Sequence, residues 1–258
     1  MQDEYLEIHG DVVRTLRRAS DGSALSNREV RLADFLQSLT ARLSTGKALP
    51  LLPIGARWAL LRGQDAVFAI EEPPQERRIT WWDGDGSGTE HWLAFPYVIY
   101  LVLFHRGSFE EMRLYYRTGP LRTERDELFM ANLWNVSAGE SPLAHGRVCL
   151  RGRPPFEDLT VAGQVQTAIE FFWGTGFNRE VEENCFERSR DADPRIASLE
   201  AWERASREDP LFPLTVHWHK TGLSLAASAE RLLTWRGSQR PIVEGSDLVD
   251  LVYRIPEE

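Results

Sequence analysis

The run Tyr97–His105 most restricts the fold, because nearly every residue in it is aliphatic or aromatic. Arg106-Gly107 follows as a turn, and Glu110–Arg117 returns with residues typical of strands. This pattern predicts a long antiparallel β-hairpin. The apolar stretch from Phe95 to Phe104 is too short to cross a bilayer as a helix, so no membrane association is expected.

Further strand signals lie between residues 57 and 136. Arg57–Arg62 and Ala66–Glu71 predict a hairpin around Gly63-Gln64-Asp65, Arg78–Trp82 predicts a short strand, and Glu127–Val136 could extend the long hairpin.

Helical patterns dominate both flanks of this strand-rich region. Residues 26–45 predict an amphipathic helix, with Ser26 and Glu29 at capping-box spacing and Gly46 at its end. Apolar residues from Val161 to Trp173 share one helical face. Other predicted segments are a helix from Asp193-Pro194 to about Ser206, a helix over Leu223–Trp235 and a strand over Leu248–Ile255.

Strands at the centre and helices on both sides predict an α+β fold rather than an alternating α/β fold. We expect an antiparallel β-meander core over residues 51–190. A helical N-terminal extension would cover residues 1–50. A C-terminal α/β extension over residues 191–258 would pack on the core.

Composition excludes several function classes. The net charge of −9 and the pI near 5.3 argue against a nucleic-acid surface. The only two cysteines, Cys149 and Cys185, do not form a disulfide framework, and the acidic start Met1–Glu4 lacks the pattern of a signal peptide. A reducing, cytoplasmic location is therefore expected. The chain has no phosphate-binding Gly-x-x-x-x-Gly-Lys-Ser/Thr motif, no Gly-x-Gly-x-x-Gly motif after a strand and no Gly-x-Ser-x-Gly motif.

The segment Asn135-Val136, followed by a polar loop and Gly146-Arg147-Val148-Cys149-Leu150, carries the clearest resemblance to a known family. It resembles the active-site signature of ubiquitin-conjugating (E2) enzymes, in which an Asn-Val pair precedes a Gly-x-Ile/Val-Cys-Leu run. The order of strand meander, polar loop, Cys and following helix also agrees. The chain is especially similar to divergent prokaryotic members such as the PRTRC system protein B family, over roughly residues 57–180.

This resemblance implies a UBC-like core and a carrier of a ubiquitin-like protein as a Cys thioester, supplied by a ThiF/E1-like activating enzyme. Cys149 would be the nucleophile and Asn135 the oxyanion donor. His145, four residues before Cys149, could act as a base or tune the thiol. The family needs no small-molecule cofactor. Its bacterial systems are often linked to plasmids or antiphage defence.

Three departures from the family pattern leave alternatives open. Leu133-Trp134 stands in place of His-Pro, the gap from Asn to Cys is longer, and the proline-rich strand before the motif is reduced to Gly119-Pro120. A non-catalytic interaction module of the same fold is the main alternative, and a structural subunit of a phage or secretion machine is a weaker one. Val148-Cys149-Leu150 could also be a simple core strand.

Other constellations give weaker signals. Asp83-x-Asp85-x-Ser87-Gly88 resembles the start of a calcium loop, but Ala94 occupies the position of the final Glu ligand, which favours a hairpin loop. His217 and His219 would share one face of a strand, but no third ligand has convincing spacing, so no metal site is expected. Cys185 lies among acidic residues and is interpreted as structural.

Overall fold

A computed structural model describes residues 4–9, 12–18, 24–35, 52–62, 64–82, 87–137, 145–150, 152, 154–179, 181 and 185–237. These residues belong to two compact units. The first contains a three-stranded antiparallel sheet, and the second runs from Pro50 to Arg236. No helix among the described residues combines the length and apolarity needed to cross a membrane.

The first unit corrects the prediction of a helix from Ser26. Its strands are β1 (Glu4–His9), β2 (Val12–Arg18) and β3 (Ala24–Arg31), and helix begins only at residue 32. Val30 pairs with Val13, both are buried, and Arg14 forms a 2.8 Å ion pair with Glu29 across the strands. These cross-strand contacts outweigh the local capping-box spacing. Residues 36–45, the rest of the predicted helix, lie outside the described residues.

The second unit is built on a six-stranded antiparallel sheet with the order β11-β10-β9-β8-β5-β4. Its strands are β4 (Ala56–Arg62), β5 (Asp65–Glu72), β8 (Tyr97–His105), β9 (Ser108–Arg117), β10 (Glu127–Met130) and β11 (Lys220–Ser224). Both predicted hairpins are confirmed, β4–β5 and β8–β9. The predicted extension by Glu127–Val136 is confirmed for its first four residues, which form β10.

A third hairpin, formed by β6 (Gln75–Trp82) and β7 (Gly88–Phe95), lies in the chain between β5 and β8 and forms a separate two-stranded sheet. Most of β6 was predicted from the sequence, and β7 was not. Backbone N–H groups at the outer edge of β7 donate to side chains instead of another strand: Trp92 N to Glu203 Oε1 at 3.4 Å and Ala94 N to Ser206 Oγ at 2.8 Å.

The helices of the second unit are α1 (Val161–Gly174), α2 (Cys185–Ala192), α3 (Leu199–Glu208) and α4 (Leu225–Gly237). α1 confirms the helix predicted from Val161 to Trp173, and α4 confirms the helix predicted over Leu223–Trp235. Asp193-Pro194 begins a short 3₁₀ turn, and α3 starts after its own cap, Ser198. The second unit includes residue 190, where the predicted core ends and the predicted C-terminal extension begins.

Two hydrophobic clusters occupy the two faces of the six-stranded sheet. Side chains of β8 alternate between them: Tyr100 and Val102 join the first cluster, and Leu101 and Leu103 join the second. The first cluster is completed by α1, α3 and the β6–β7 hairpin, and the second is completed by α4. The apolar sequence of β8 therefore reflects burial on both faces. The architecture is α+β, with an antiparallel sheet and few helices.

A polar network ties the β6–β7 hairpin and α1 to the large sheet. The Tyr100 hydroxyl accepts from Trp173 Nε1 at 2.6 Å and donates to Glu72 Oε2 at 2.5 Å. Arg77 Nη2 also donates to Glu72 at 2.5 Å, and its guanidinium lies 4.5 Å from the Trp173 ring centroid. Burial and the Glu72 carboxylate raise the pKa of Tyr100, so its hydroxyl remains a donor.

We expect Tyr100→Phe to lower the free energy of unfolding by about 1–3 kcal/mol, because it leaves the buried Trp173 N–H without its acceptor. Urea denaturation followed by far-UV circular dichroism measures this loss. Trp92→Phe changes an exposed ring and should have little effect. Equal stabilities for the two variants would contradict the importance of the network.

Candidate functional site

The segment around Cys149 forms a short two-stranded ribbon against the edge of β9. Arg147 bridges Arg113 of β9, and Val148 bridges Val136 on its other side. Leu114 N donates to Gly146 O at 2.8 Å, and Val148 N donates to Met112 O at 3.0 Å. Residues 146–148 therefore lie between β9 and residues 135–137, adding two short extended segments to the sheet.

Cys149 is exposed, and it follows the last bridged residue of this ribbon. Its backbone N–H donates to Asn135 O at 2.8 Å. Val148 is buried and Leu150 is half-buried, so the apolar neighbours anchor the segment while the thiol faces solvent. This exposure excludes a core-strand role for Cys149 itself.

The structure thus brings the two predicted residues Asn135 and Cys149 together through their backbones. The Asn135 side chain points elsewhere: it is 1% exposed, and its Nδ2 donates to Gly176 O at 3.0 Å. Asn135 also has a left-handed backbone with φ 62°, a conformation that Asn adopts more readily than most residues. Its role as an oxyanion donor stays a prediction.

His145 lies at the start of the ribbon. It is buried, and its carbonyl accepts a 3.0 Å hydrogen bond from the Tyr115 hydroxyl. Gly146, at φ 77°, is the only left-handed residue from His145 to Cys149. Residues four apart share one face of a helix, but residues 145–149 are not helical. The role of His145 as a base stays a prediction.

A buried pair of charged side chains on β9 was not predicted from the sequence. Arg113 Nε lies 3.0 Å from Glu111 Oε1, and both side chains are almost inaccessible. Burial raises the pKa of Tyr115, and the neighbouring Arg113 cation opposes that shift. Because Arg113 pairs with Arg147 across the bridge, the side chains of Glu111, Arg113 and Arg147 lie on the same face of the sheet. Its sequence signal was two charged residues of opposite sign, Glu111 and Arg113, at alternate positions of β9.

The remaining candidates are Cys185, His217, His219 and the aspartates of the calcium-like loop. Cys185 is buried in the first cluster, as expected of a structural cysteine, with its sulfur 4.0 Å from Ser189 Oγ. His217 is exposed, and His219 Nε2 lies 3.2 Å from Arg188 O. The described residues contain no group of three or more His, Cys, Asp or Glu arranged to hold a metal ion. Asp83 and Asp85 lie outside the described residues.

Comparison with protein-family models, curated proteins and solved structures finds no match to the chain.

We expect a thiol reagent such as Ellman's reagent to modify one cysteine rapidly in the folded protein, because Cys149 is exposed and Cys185 is buried. Cys149→Ala should remove the fast phase, and Cys185→Ala should keep it. The absorbance of the thiolate released from the reagent measures the fast phase in both variants. A fast phase that survives Cys149→Ala would contradict the exposure of that thiol.

We expect Gly146→Ala to destabilise the protein and disturb the ribbon. The left-handed backbone alone costs about 1–2 kcal/mol for a residue with a Cβ, and this Cβ would lie 2.8 Å from Tyr115 Cζ. Urea denaturation and the rate of Cys149 modification measure the two effects. Gly119→Ala is the matched control, because its Cβ meets no atom within 4 Å. Equal behaviour of both variants would show that the ribbon tolerates a side chain at residue 146.

Proposed function

We propose that the chain is a UBC-like carrier that holds a ubiquitin-like protein as a thioester on Cys149. The exposed thiol is the observation that carries this proposal. An acyl carrier needs a sulfur that a large partner can reach and a backbone that keeps the sulfur in place. Cys149 has solvent access, and its N–H is bonded to Asn135 O.

The order of elements supports a UBC-like core. Strands β4, β5, β8 and β9 are consecutive neighbours in the sheet and form a meander, interrupted in sequence by the β6–β7 hairpin. The Cys149 segment follows this meander, and α1 follows the Cys149 segment. The family resemblance described above has the same order.

The proposed chemistry is two successive acyl transfers. In the first, the Cys149 thiolate attacks the thioester carbonyl of a ubiquitin-like protein held on a ThiF/E1-like enzyme. A new C–S bond forms, and the cysteine thiolate of the activating enzyme leaves. In the second, an amine attacks the new thioester, loses a proton and releases Cys149.

Asn135 has two distinct roles in this proposal, one for its backbone carbonyl and one for its side-chain carboxamide. Its carbonyl holds the Cys149 backbone in both steps. Its carboxamide can donate to the oxyanion of the second step only after the hydrogen bond to Gly176 opens. Transfer to an amine is therefore the step in which we expect the side chain of Asn135 to matter.

A non-catalytic interaction module is the second candidate, and the same hydrogen bond favours it. A buried carboxamide that is bonded to Gly176 acts as a structural support. Such a module would bind a ubiquitin-like protein or another operon partner without forming a thioester.

We expect a reductant-sensitive adduct when the chain is incubated with a ThiF-like enzyme, its ubiquitin-like protein and ATP. Non-reducing gel electrophoresis and mass spectrometry detect it. Cys149→Ser should give a reductant-resistant ester or no adduct, whereas Cys185→Ala should form the adduct as before.

An adduct that is unchanged in Cys149→Ser would exclude the assigned nucleophile. Stable binding of the ubiquitin-like protein with no adduct would support the interaction module. Asn135→Ala separates the two roles of Asn135, because it keeps the backbone carbonyl and removes the carboxamide. Loading of Cys149 should persist, and discharge to free lysine should slow.

A further inference from the structure

Strand β4 forms an outer edge of the six-stranded sheet that differs from the other strand edges of the second unit. The opposite edge, β11, is short, carries exposed Lys220, and has left-handed Gly222 where the register shifts. Short length, lysine and irregularity are common protections against edge-to-edge pairing.

The edges of the β6–β7 hairpin also have partners. The outer edge of β7 donates to Glu203 and Ser206 of α3. On β6, Trp82 N donates to Phe177 O at 2.9 Å, and Phe177 N donates to Thr80 O at 2.8 Å.

Strand β4 has none of these protections along residues 58–61. The segment Trp58-Ala59-Leu60-Leu61 contains no charge and no proline. Its register with β5 is regular from Trp58 to Arg62, and the irregularity of β4 lies before this segment, between Ala56 and Trp58. Leu61 is 59% exposed. Among the described residues, no strand pairs with the outer side of β4. An exposed apolar edge of this kind is a template for another strand.

The hairpin register identifies which backbone groups face outward. Arg62 pairs with Asp65, the pair nearest the connection between β4 and β5, with two residues between them in the sequence. Such a pair exchanges hydrogen bonds, and successive pairs alternate between bonded and non-bonded. Arg62 and Leu60 therefore direct their N–H and C=O groups to β5. Ala59 and Leu61 direct theirs outward.

Side chains along this edge are complementary to themselves in one antiparallel register. With a two-fold axis at Leu60, Leu60 faces its own copy, and the exposed Leu61 faces the small Ala59. Trp58 faces Arg62, a pairing suited to a cation–π contact. No like charges face each other, and Arg62 is already held by Glu230 of α4 at 2.6 Å.

The second hydrophobic cluster reaches the same edge. Trp58 and Leu60 are partly buried and pack against it. Pairing at Leu60 would join the cluster of one copy to that of another and cover the apolar rim of each.

We propose that β4 pairs antiparallel with β4 of a second copy of this chain, centred on Leu60, to form an isologous dimer with a continuous sheet. The outward groups of Ala59 and Leu61 would supply the hydrogen bonds between copies. This proposal does not depend on the role of Cys149.

Cysteine cross-linking in a Cys149→Ser background tests both the dimer and its register. Non-bonded antiparallel pairs bring Cα atoms to about 4.5 Å, within the range of a disulfide. We expect Leu60→Cys to form a disulfide dimer under mild oxidation. Ala59→Cys alone should not, but a mixture of Ala59→Cys and Leu61→Cys chains should cross-link to each other.

Analytical ultracentrifugation of the unmodified chain should give twice the monomer mass. Leu61→Pro should restore the monomer, because it removes an outward N–H without removing a hydrogen bond to β5. Leu61→Val keeps that donor and should remain a dimer. Circular dichroism checks that both variants are folded. A monomeric unmodified chain, or no cross-link in Leu60→Cys, would overturn the proposal.

Discussion

Burial of β8 on both faces is the constraint on which the second unit depends. A strand with apolar side chains on both faces needs another layer of structure on each face. Different elements of the chain supply the two layers. On one face, α1, α3 and the β6–β7 hairpin supply large aromatic side chains. On the other face, α4 supplies smaller aliphatic ones. The polar network at Tyr100 belongs to the aromatic side, where Trp173 brings an N–H group that needs an acceptor.

The sequence was most informative where local pattern and tertiary packing agree. The hairpins around β8 and β5 combine strong strand residues with short turns, and α1 has both an apolar face and a Thr160 cap. At β3 they disagree: the spacing of Ser26 and Glu29 favours a helix, whereas pairing with β2 favours a strand. Pairing with β2 determines that this segment is a strand, and the local sequence pattern carries no information about that pairing.

The same distinction applies to the candidate site. The sequence motif placed Asn135 and Cys149 in one neighbourhood, and their backbones are hydrogen-bonded. The direction of the Asn135 side chain depends on Gly176, which is distant in sequence. The buried pair Glu111–Arg113 also depends on context, because charged residues on a strand usually indicate a solvent-facing side. Backbone proximity was therefore easier to predict than side-chain chemistry.

The short length of β10 explains why a ribbon can form at Cys149. β10 pairs with β9 only through Phe129 and Met130, opposite Tyr116 and Tyr115. The chain then turns away, which leaves Met112–Leu114 without that partner. Residues 146–148 pair with this vacated part of the same edge. If β10 continued along β9, it would occupy the position of this segment, and Cys149 would lose the backbone contacts that hold it. The backbone contacts that position Cys149 thus depend on where β10 ends.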